Sequence, residues 1–118
     1  VIGAGITVHE ALKAADELQS KGTKIRVIDL YCVKPLDGKA LAQEIAVTGG
    51  KLVTVEDHWP EGGIGEAVLS ALASVGATPS KYRMLAVRDM PHSGKPEELI
   101  DAFGISARHI ADAVREIA

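Results

Sequence analysis

The sequence is poor in the residues that most often carry recognisable chemistry. Its 118 residues include one cysteine, Cys32, and aromatic side chains make up 3% of the chain. A single cysteine excludes an internal disulfide and a cysteine-rich metal site, and it fits a reducing, cytoplasmic compartment. We therefore expect Cys32 to fill the end of a strand, with neither a disulfide scaffold nor a zinc module around it.

Charge of one sign and long apolar runs are also missing. Lysine and arginine number 13 against 16 acidic residues, which gives a net charge of −3. This balance provides no cationic surface for a phosphate backbone, and the scarcity of aromatic residues leaves no surface on which bases could stack. No apolar stretch reaches the roughly 18 residues that a membrane span requires. Neither nucleic acid nor a membrane is expected as a partner.

Aliphatic apolar residues are abundant in the sequence. Hydrophobic residues make up 47% of the chain, enough for the core of one globular domain covering residues 1–118. Val1 and Ile2 resemble the end of a strand, and a strand of the usual length of about 5–6 residues would need sequence upstream. We expect the chain to be a fragment of a longer protein, with the first residues of the domain missing.

Four short apolar runs alternate with longer segments of helical period. None of the runs alternates strictly between apolar and polar residues, as a half-exposed strand would, so burial on both faces is expected. Such a pattern is typical of an α/β fold with helices on both faces of a parallel sheet, a three-layer α/β/α arrangement. The predicted strands cover residues 1–4, 25–30, 52–56 and 82–87.

Helix boundaries are marked by capping residues. Thr7 and Glu10 have the spacing of a capping box, and Asp37 and Ser106 stand where N-caps of two further helices are expected. Another helix is expected to follow the glycine-rich turn at residues 62–65. Glycines mark the predicted helix ends at residues 22, 49–50, 76 and 104.

The first glycine turn suggests a nucleotide-binding module. Gly3 and Gly5 lie between an apolar run and a helix, and Asp29 follows about where the ribose-binding acid of a dinucleotide fold would stand. Against this, Val8 occupies the place of the third glycine of that fingerprint. A second such turn, at residues 63–65, lacks its third glycine as well, and a sharp strand-to-helix turn alone explains both. Nucleotide binding stays open as an alternative.

No catalytic or metal-binding constellation is recognisable. The four histidines have no metal-ligand spacing from one another. Glu56, Asp57 and His58 are consecutive on an extended segment, where side chains alternate in direction and cannot converge. Their position is more informative, because the carboxyl end of a buried strand is where doubly wound sheets meet ligands or partners. We assign no catalytic, cofactor-binding or metal residue.

Several stretches, in order, resemble one family. VTVEDH at residues 53–58 is followed by EGGIGEAV at 61–68, and IGAG at 2–5 leads into HEAL at 9–12. VKPLD at 33–37, SGKP at 93–96 and FGI at 103–105 complete the series. Each stretch alone is weak evidence, but their order and spacing together resemble the C-terminal domain of transketolase over nearly the whole chain.

This resemblance implies a fold and a role. Transketolase, an enzyme of the pentose phosphate pathway, transfers a two-carbon ketol unit between sugar phosphates using thiamine diphosphate and a divalent metal such as magnesium. In the family these cofactors and the catalytic residues belong to two other domains, while the C-terminal domain helps to build the dimer. The partners implied are therefore the remaining domains and a second subunit. The family's sheet has our four strands in the order 2-1-3-4, with an antiparallel edge strand upstream.

Trp59 and Pro60 depart from the pattern, because tyrosines are expected after the histidine in transketolases. This dipeptide is more similar to the β subunit of 2-oxo acid dehydrogenases, which share the domain, as does 1-deoxyxylulose-5-phosphate synthase. The exact parent enzyme stays open on this evidence.

The segment after the third strand is the predicted interface with a partner subunit or a neighbouring domain. Trp59 is the only tryptophan, and it lies on a loop stiffened by Pro60, not within a helical stripe. The alternative is that Trp59 folds back over its own core. The predicted interface residues are Glu56, Asp57, His58, Trp59, Glu61, Gly62, Gly63 and Ile64.

Overall fold

Strands and helices alternate along the chain before two helices close it. The computed structural model describes all residues from 1 to 118. Its elements are β1 (Ile2–Gly3), α1 (Ile6–Ser20), β2 (Ile28–Asp29), α2 (Gly38–Val47), β3 (Lys51–Val55), α3 (Ile64–Ser74), β4 (Lys81–Leu85), α4 (Pro96–Ala102) and α5 (Ala107–Ile117). All four predicted strands are present within a few residues of their expected places.

The sheet is parallel throughout and has the order β2-β1-β3-β4. This confirms the predicted fold class and strand order. β1 is central, pairing Gly3 with Asp29 of β2 on one side and with Val55 of β3 on the other. The first crossover passes from β1 to β2 and later crossovers pass toward β3 and β4, so the direction of winding reverses between β1 and β3.

Two apolar clusters cover the two faces of the sheet. Alternate residues of β3 explain the separation, since Val53 and Val55 face one cluster whereas Leu52 faces the other. Helices α1 and α5 pack on the first face and α2 and α3 on the second. The contact of α2 with α3 depends on Gly38, because a Cβ there would overlap the carbonyl oxygen of Ala71. These layers are the predicted α/β/α sandwich.

The predicted helix ends are confirmed at four glycines. After α1 the amide of Thr23 donates to the Leu18 oxygen at 2.9 Å and that of Gly22 to Gln19 at 3.0 Å, the bonds of a Schellman motif. The same pair of bonds closes α2, α3 and α4 at Gly49, Gly76 and Gly104. The N-cap prediction at Asp37 is also confirmed, since its carboxylate accepts from the Ala40 amide at 3.0 Å.

One capping prediction is wrong, and another is confirmed for the position of the N-cap residue only. Gly5, not Thr7, is the N-cap of α1, so Thr7 and Glu10 lie inside the helix and form no capping box. Ser106 is the N-cap residue of α5 by position, but its hydroxyl makes no capping bond. Thr7 and Glu10 instead bind Val55 and Ala107, which are distant in sequence, whereas Ser106 binds its near neighbours Asp101 and His109.

The two ends of the strands differ in construction. The amino edge of the sheet carries the glycine-closed turns and a cavity of about 380 Å³, lined in part by Val1, Lys51 and Ala118. A second, more open groove of about 500 Å³ follows the outer side of edge strand β2 toward Leu36 and Leu41. None of the helices has the length and apolarity needed to cross a bilayer.

Candidate functional site

The carboxyl edge of the sheet is the candidate site, because doubly wound sheets meet ligands there at the point where the winding reverses. In this chain that point lies between β1 and β3, and Thr7 closes it. Its hydroxyl oxygen accepts from the Ala4 amide at 3.0 Å and lies 2.9 Å from the carbonyl oxygens of both Ala4 and Val55. Thr7 thus joins the first turn of α1 to the end of β3.

Glu56 occupies the amino end of α3. It is 3% exposed, and its carboxylate accepts from the Ile64 amide at 2.6 Å and from the Gly65 amide at 3.1 Å. Gly63 makes room for this contact, since a Cβ at residue 63 would overlap Glu56 Oε2. Free amides at a helix N-terminus are where an α/β protein would bind a phosphate. At α3 these donors are already bound by the chain's own carboxylate.

Glu10 binds the amino end of α5 with its carboxylate, as Glu56 binds the amino end of α3. From within α1 its carboxylate accepts from the Ala107 amide at 2.8 Å and pairs with the Lys13 ammonium at 2.6 Å. Burial opposes ionisation of this carboxyl group, but the bonds from Lys13 and Ala107 outweigh it and hold the Glu10 pKa below its usual value. The partner of α5 is therefore an ionised carboxylate contributed by the first helix.

Gly3 and Asp29 suggested nucleotide binding, but helix packing explains why residue 3 is a glycine. The register places Asp29 beside Gly3, as a dinucleotide fold would require. A Cβ at Gly3, however, would lie 2.9 Å from Thr7 Oγ1 and 3.3 Å from the Val8 nitrogen. Gly3 is thus needed for the approach of α1 to β1, and Asp29 is exposed on an edge strand.

The predicted interface residues divide into two groups. Glu56, Gly63 and Ile64 are buried within this chain, where Glu56 and Gly63 form the cap of α3. The other five lie on the surface, and Trp59 among them is 40% exposed. Within the loop, His58 Nδ1 lies 2.7 Å from the Trp59 carbonyl oxygen. The exposed members are Asp57, His58, Trp59, Glu61 and Gly62.

One cluster of polar side chains, formed by Asp101, Ser106 and His109, was not predicted from the sequence. Ser106 Oγ lies 2.9 Å from Asp101 Oδ1 and 2.8 Å from His109 Nδ1. Serine, histidine and aspartate are the components of a hydrolytic triad, but here aspartate and histidine both bind the serine hydroxyl. Asp101 does not orient the far ring nitrogen, as a triad requires. Ser106 is buried, and the cluster fixes the corner between α4 and α5.

The metal and diphosphate of a thiamine enzyme do not fit residues of this chain. No three histidine, cysteine, aspartate or glutamate side chains converge closely enough to hold a metal ion. The amides at the start of α3 that could bind a diphosphate are those taken by Glu56.

Fold and site together define a class. The chain is a parallel, doubly wound α/β domain whose strand ends are closed by its own side chains, and an exposed loop with a tryptophan projects beside them. The comparisons identify the family within this class. The family model for the transketolase C-terminal domain matches residues 1–110, and the chain belongs to that family.

Known proteins of the family are considerably longer. Transketolase-like protein 2 from Mus musculus is 56% identical over 116 residues, and transketolase from Homo sapiens is 51% identical over 115 residues. Each alignment covers 98% of this chain and 18% of the relative. Among solved structures, a split gene transketolase described as an inactive beta4 tetramer matches with a TM-score of 0.87 and 31% identity. That match covers 98% of this chain and 37% of the other.

The similarity to these relatives also answers whether Trp59 and Pro60 are compatible with the transketolase family. Proteins more than half identical to this chain are transketolases and transketolase-like proteins, so a Trp-Pro dipeptide after the histidine occurs within this family.

Proposed function

We propose that residues 1–118 form one domain of a longer transketolase, and that this domain assembles the enzyme without taking part in its chemistry. The parent enzyme would transfer a two-carbon ketol unit between sugar phosphates in the pentose phosphate pathway. Thiamine diphosphate and a divalent metal such as magnesium would be bound by its other domains. A cytoplasmic location belongs to the same proposal and rests on the single, exposed Cys32.

The observation that carries the proposal is the occupation of the helix N-termini by carboxylates. Glu56 binds the first two amides of α3 and Glu10 binds the first amide of α5, so an approaching phosphate would meet negative charge at both helix starts. Thr7 closes the gap between β1 and β3. The strand ends are thus built for internal rigidity, which suits a domain that holds other parts of an enzyme in place.

The exposed part of the predicted interface supports an assembly role. Trp59 presents a large apolar ring on a loop whose neighbours Asp57, His58 and Glu61 are polar and exposed. An aromatic residue surrounded by polar residues is the usual composition of an interface anchor and its rim. We propose that the five exposed residues from Asp57 to Gly62 contact another domain or a second subunit in a homodimer.

A coupled ketol-transfer assay tests the role in the full-length protein. Removal of residues 1–118 should abolish transfer activity together with assembly, whereas Glu61→Gln, which changes an exposed charge on the interface loop, should preserve catalysis per assembled enzyme. A truncated protein that assembles and transfers normally would disprove the proposal.

Calorimetry on the 118-residue chain tests the proposal that this domain takes no part in the chemistry of the enzyme. It also tests the nucleotide-binding alternative. We expect no binding of thiamine diphosphate or NAD. A dissociation constant below about 100 μM, equivalent to roughly −5.5 kcal/mol, for either ligand would overturn this expectation.

A further inference from the structure

The two outer strands of the sheet differ in length. β2 and β4 each have a single neighbour in the order β2-β1-β3-β4. β2 covers two residues, Ile28–Asp29, whereas β4 covers five, Lys81–Leu85. The outer side of such a strand presents unpaired backbone groups, to which a strand of another molecule can add. A very short outer strand offers little to pair with, so the need for protection is greater at β4.

The hydrogen bonds of β4 show which of its backbone groups are unpaired. The Lys81 amide donates to the Gly50 oxygen at 3.4 Å, and the Leu85 oxygen accepts from the Glu56 amide at 3.0 Å, so Lys81 and Leu85 face β3. Backbone groups of successive residues in a strand point alternately to its two sides. Tyr82 and Met84 therefore direct their amides and carbonyls away from the sheet.

The sequence of β4 favours pairing with a further strand. KYRMLAV, residues 81–87, contains no glycine or proline, and its last four residues form an apolar run. Segments of about six or seven residues with high β-propensity are those that most readily form sheets between molecules. Charged residues on either side of such a run oppose this pairing. In this chain Arg83 and Arg88 flank the run.

The two arginines differ in what they bind. Arg83 Nε pairs with Glu116 Oε2 at 2.6 Å, so its charge is balanced within the chain. Arg88 takes part in no salt bridge of the chain. Its Nη2 instead donates to the Met84 carbonyl oxygen at 3.4 Å, which is one of the outward groups of β4. Arg88 therefore brings an unbalanced positive charge to the outer side of the strand.

The charge of Arg88 also acts on Tyr82, the other outward residue. Burial raises the pKa of the Tyr82 hydroxyl, and the Thr54 hydroxyl and the charge of Arg88 both act against this rise. One cation thus lies near both residues of β4 whose backbone groups point outward. A strand that added here would have to displace the guanidinium from Met84, and a copy of β4 would bring further cations of its own.

From these observations we infer that Arg88 protects the outer side of β4 from pairing with a strand of another molecule. Its guanidinium occupies the Met84 carbonyl oxygen and repels strands that carry positive charge. This protection would operate whether or not the domain assembles an enzyme.

A peptide copy of the strand tests the role of Arg88 in the 118-residue chain. A fluorescein-labelled peptide of residues 81–87 is titrated with the protein, and binding is followed by fluorescence anisotropy. Arg88→Leu should bind the peptide about tenfold more tightly than the wild type, because the Met84 carbonyl is uncovered and one repulsive charge is gone. Lys39→Leu makes a matched exchange at an exposed residue of α2 and should bind like the wild type.

Two further measurements test whether the peptide binds as a strand. The same peptide methylated at every backbone amide nitrogen has no donors for a ladder, so Arg88→Leu should not bind it. Arg88→Lys keeps a positively charged donor at this position and should bind the unmodified peptide no more tightly than the wild type does.

Self-association of the protein gives an independent measurement. In sedimentation velocity, Arg88→Leu should form larger species at concentrations where the wild type and Lys39→Leu do not, because two copies of β4 could then pair. Arg88 is exposed, so the melting temperature of the dilute protein should stay unchanged. Peptide binding by Arg88→Leu that is no tighter than that of the wild type, or tight binding of the methylated peptide, would overturn the inference.

Discussion

A buried carboxylate supplied from another element is the most consequential feature at the scale of single residues. Glu56 binds two amides of α3, and Gly63 leaves the space that its carboxylate fills. A carboxylate has two acceptor oxygens for these two donors, whereas a carboxamide has only one. The two amides are therefore matched by the two oxygens of a glutamate side chain and not by the single oxygen of a glutamine, although the two side chains have nearly the same shape.

Glu56→Gln should destabilise the 118-residue chain by about 1–3 kcal/mol, because one buried amide would face an NH₂ group. Urea unfolding measures the change. Glu61→Gln removes the same charge from an exposed residue two positions beyond Trp59 and should have almost no effect. Equal losses in the two variants would show that net charge, not the cap of α3, governs stability. Gly63→Ala should resemble Glu56→Gln, since a methyl group would displace the carboxylate.

Sequence reasoning located Glu56 but not its role. VTVEDH placed it correctly at the end of a buried strand, and the following glycine turn placed the start of α3. The connection between them depends on the close approach of two loops, which periodicity does not encode. The absence of a side chain at residue 63 was the available signal, because a glycine that precedes a helix can leave space for a ligand or for the chain's own carboxylate.

At the scale of elements, α1 and α5 are joined by Glu10. The spacing of Thr7 and Glu10 matches a capping box, but each side chain instead binds a different element, β3 for Thr7 and α5 for Glu10. The spacing of Thr7 and Glu10 predicted bonds within the first turn of the helix. In the structure, contacts with residues distant in sequence take their place. The predictions that held were those with a purely local cause, such as the glycines that end four helices and the Asp37 cap.

Glu10→Gln should lower the stability of the chain by about 1–2 kcal/mol at neutral pH, since the Ala107 amide would lose an ionised acceptor. The folded-state pKa of Glu10 is below the ordinary value of 4.5, so its stabilisation is fully present above that pH and disappears as the pH falls through the folded-state pKa. The difference between wild type and variant should therefore shrink in acid. Thermal unfolding from pH 7 to pH 3 measures it.

Asp16→Asn, an exposed change on the same helix, is the matched control for Glu10→Gln. Its stability should follow that of the wild type across this pH range. A Glu10→Gln deficit that stayed constant into acid would contradict the role assigned to the charge.

At the scale of the whole molecule, the two edges of the sheet differ in how many apolar side chains they expose. The amino edge has compact turns, whereas the residues that follow the carboxyl ends of the strands include five exposed large apolar side chains, those of Tyr31, Val33, Ile6, Trp59 and Met90. Strand order and layer arrangement could be predicted, the former from family resemblance and the latter from alternating strand and helix signals. The grouping of these five side chains at one edge could not be predicted, because they are separated by up to 84 positions and share an edge only through the strand order.

Trp59→Ala should weaken dimerisation of the full-length protein by about 2 kcal/mol, as expected for loss of an aromatic anchor. Sedimentation equilibrium measures the dimer, and calorimetric melting of the 118-residue chain provides the check on folding. Val75→Ala is the control, because Val75 has the same exposed fraction of 40% at the opposite edge. A large drop in melting temperature with unchanged dimerisation would make Trp59 a residue of the domain's own core.

The bond from Glu10 to Ala107 also sets an order of events during synthesis. The two residues are separated by 97 positions, so the carboxylate meets its amide only after nearly the entire domain has left the ribosome. Until then the sheet face formed by Val53 and Val55 lacks the cover of α5. A nascent chain that stalls before residue 107 therefore leaves the apolar cluster on this face of the sheet without its α5 residues.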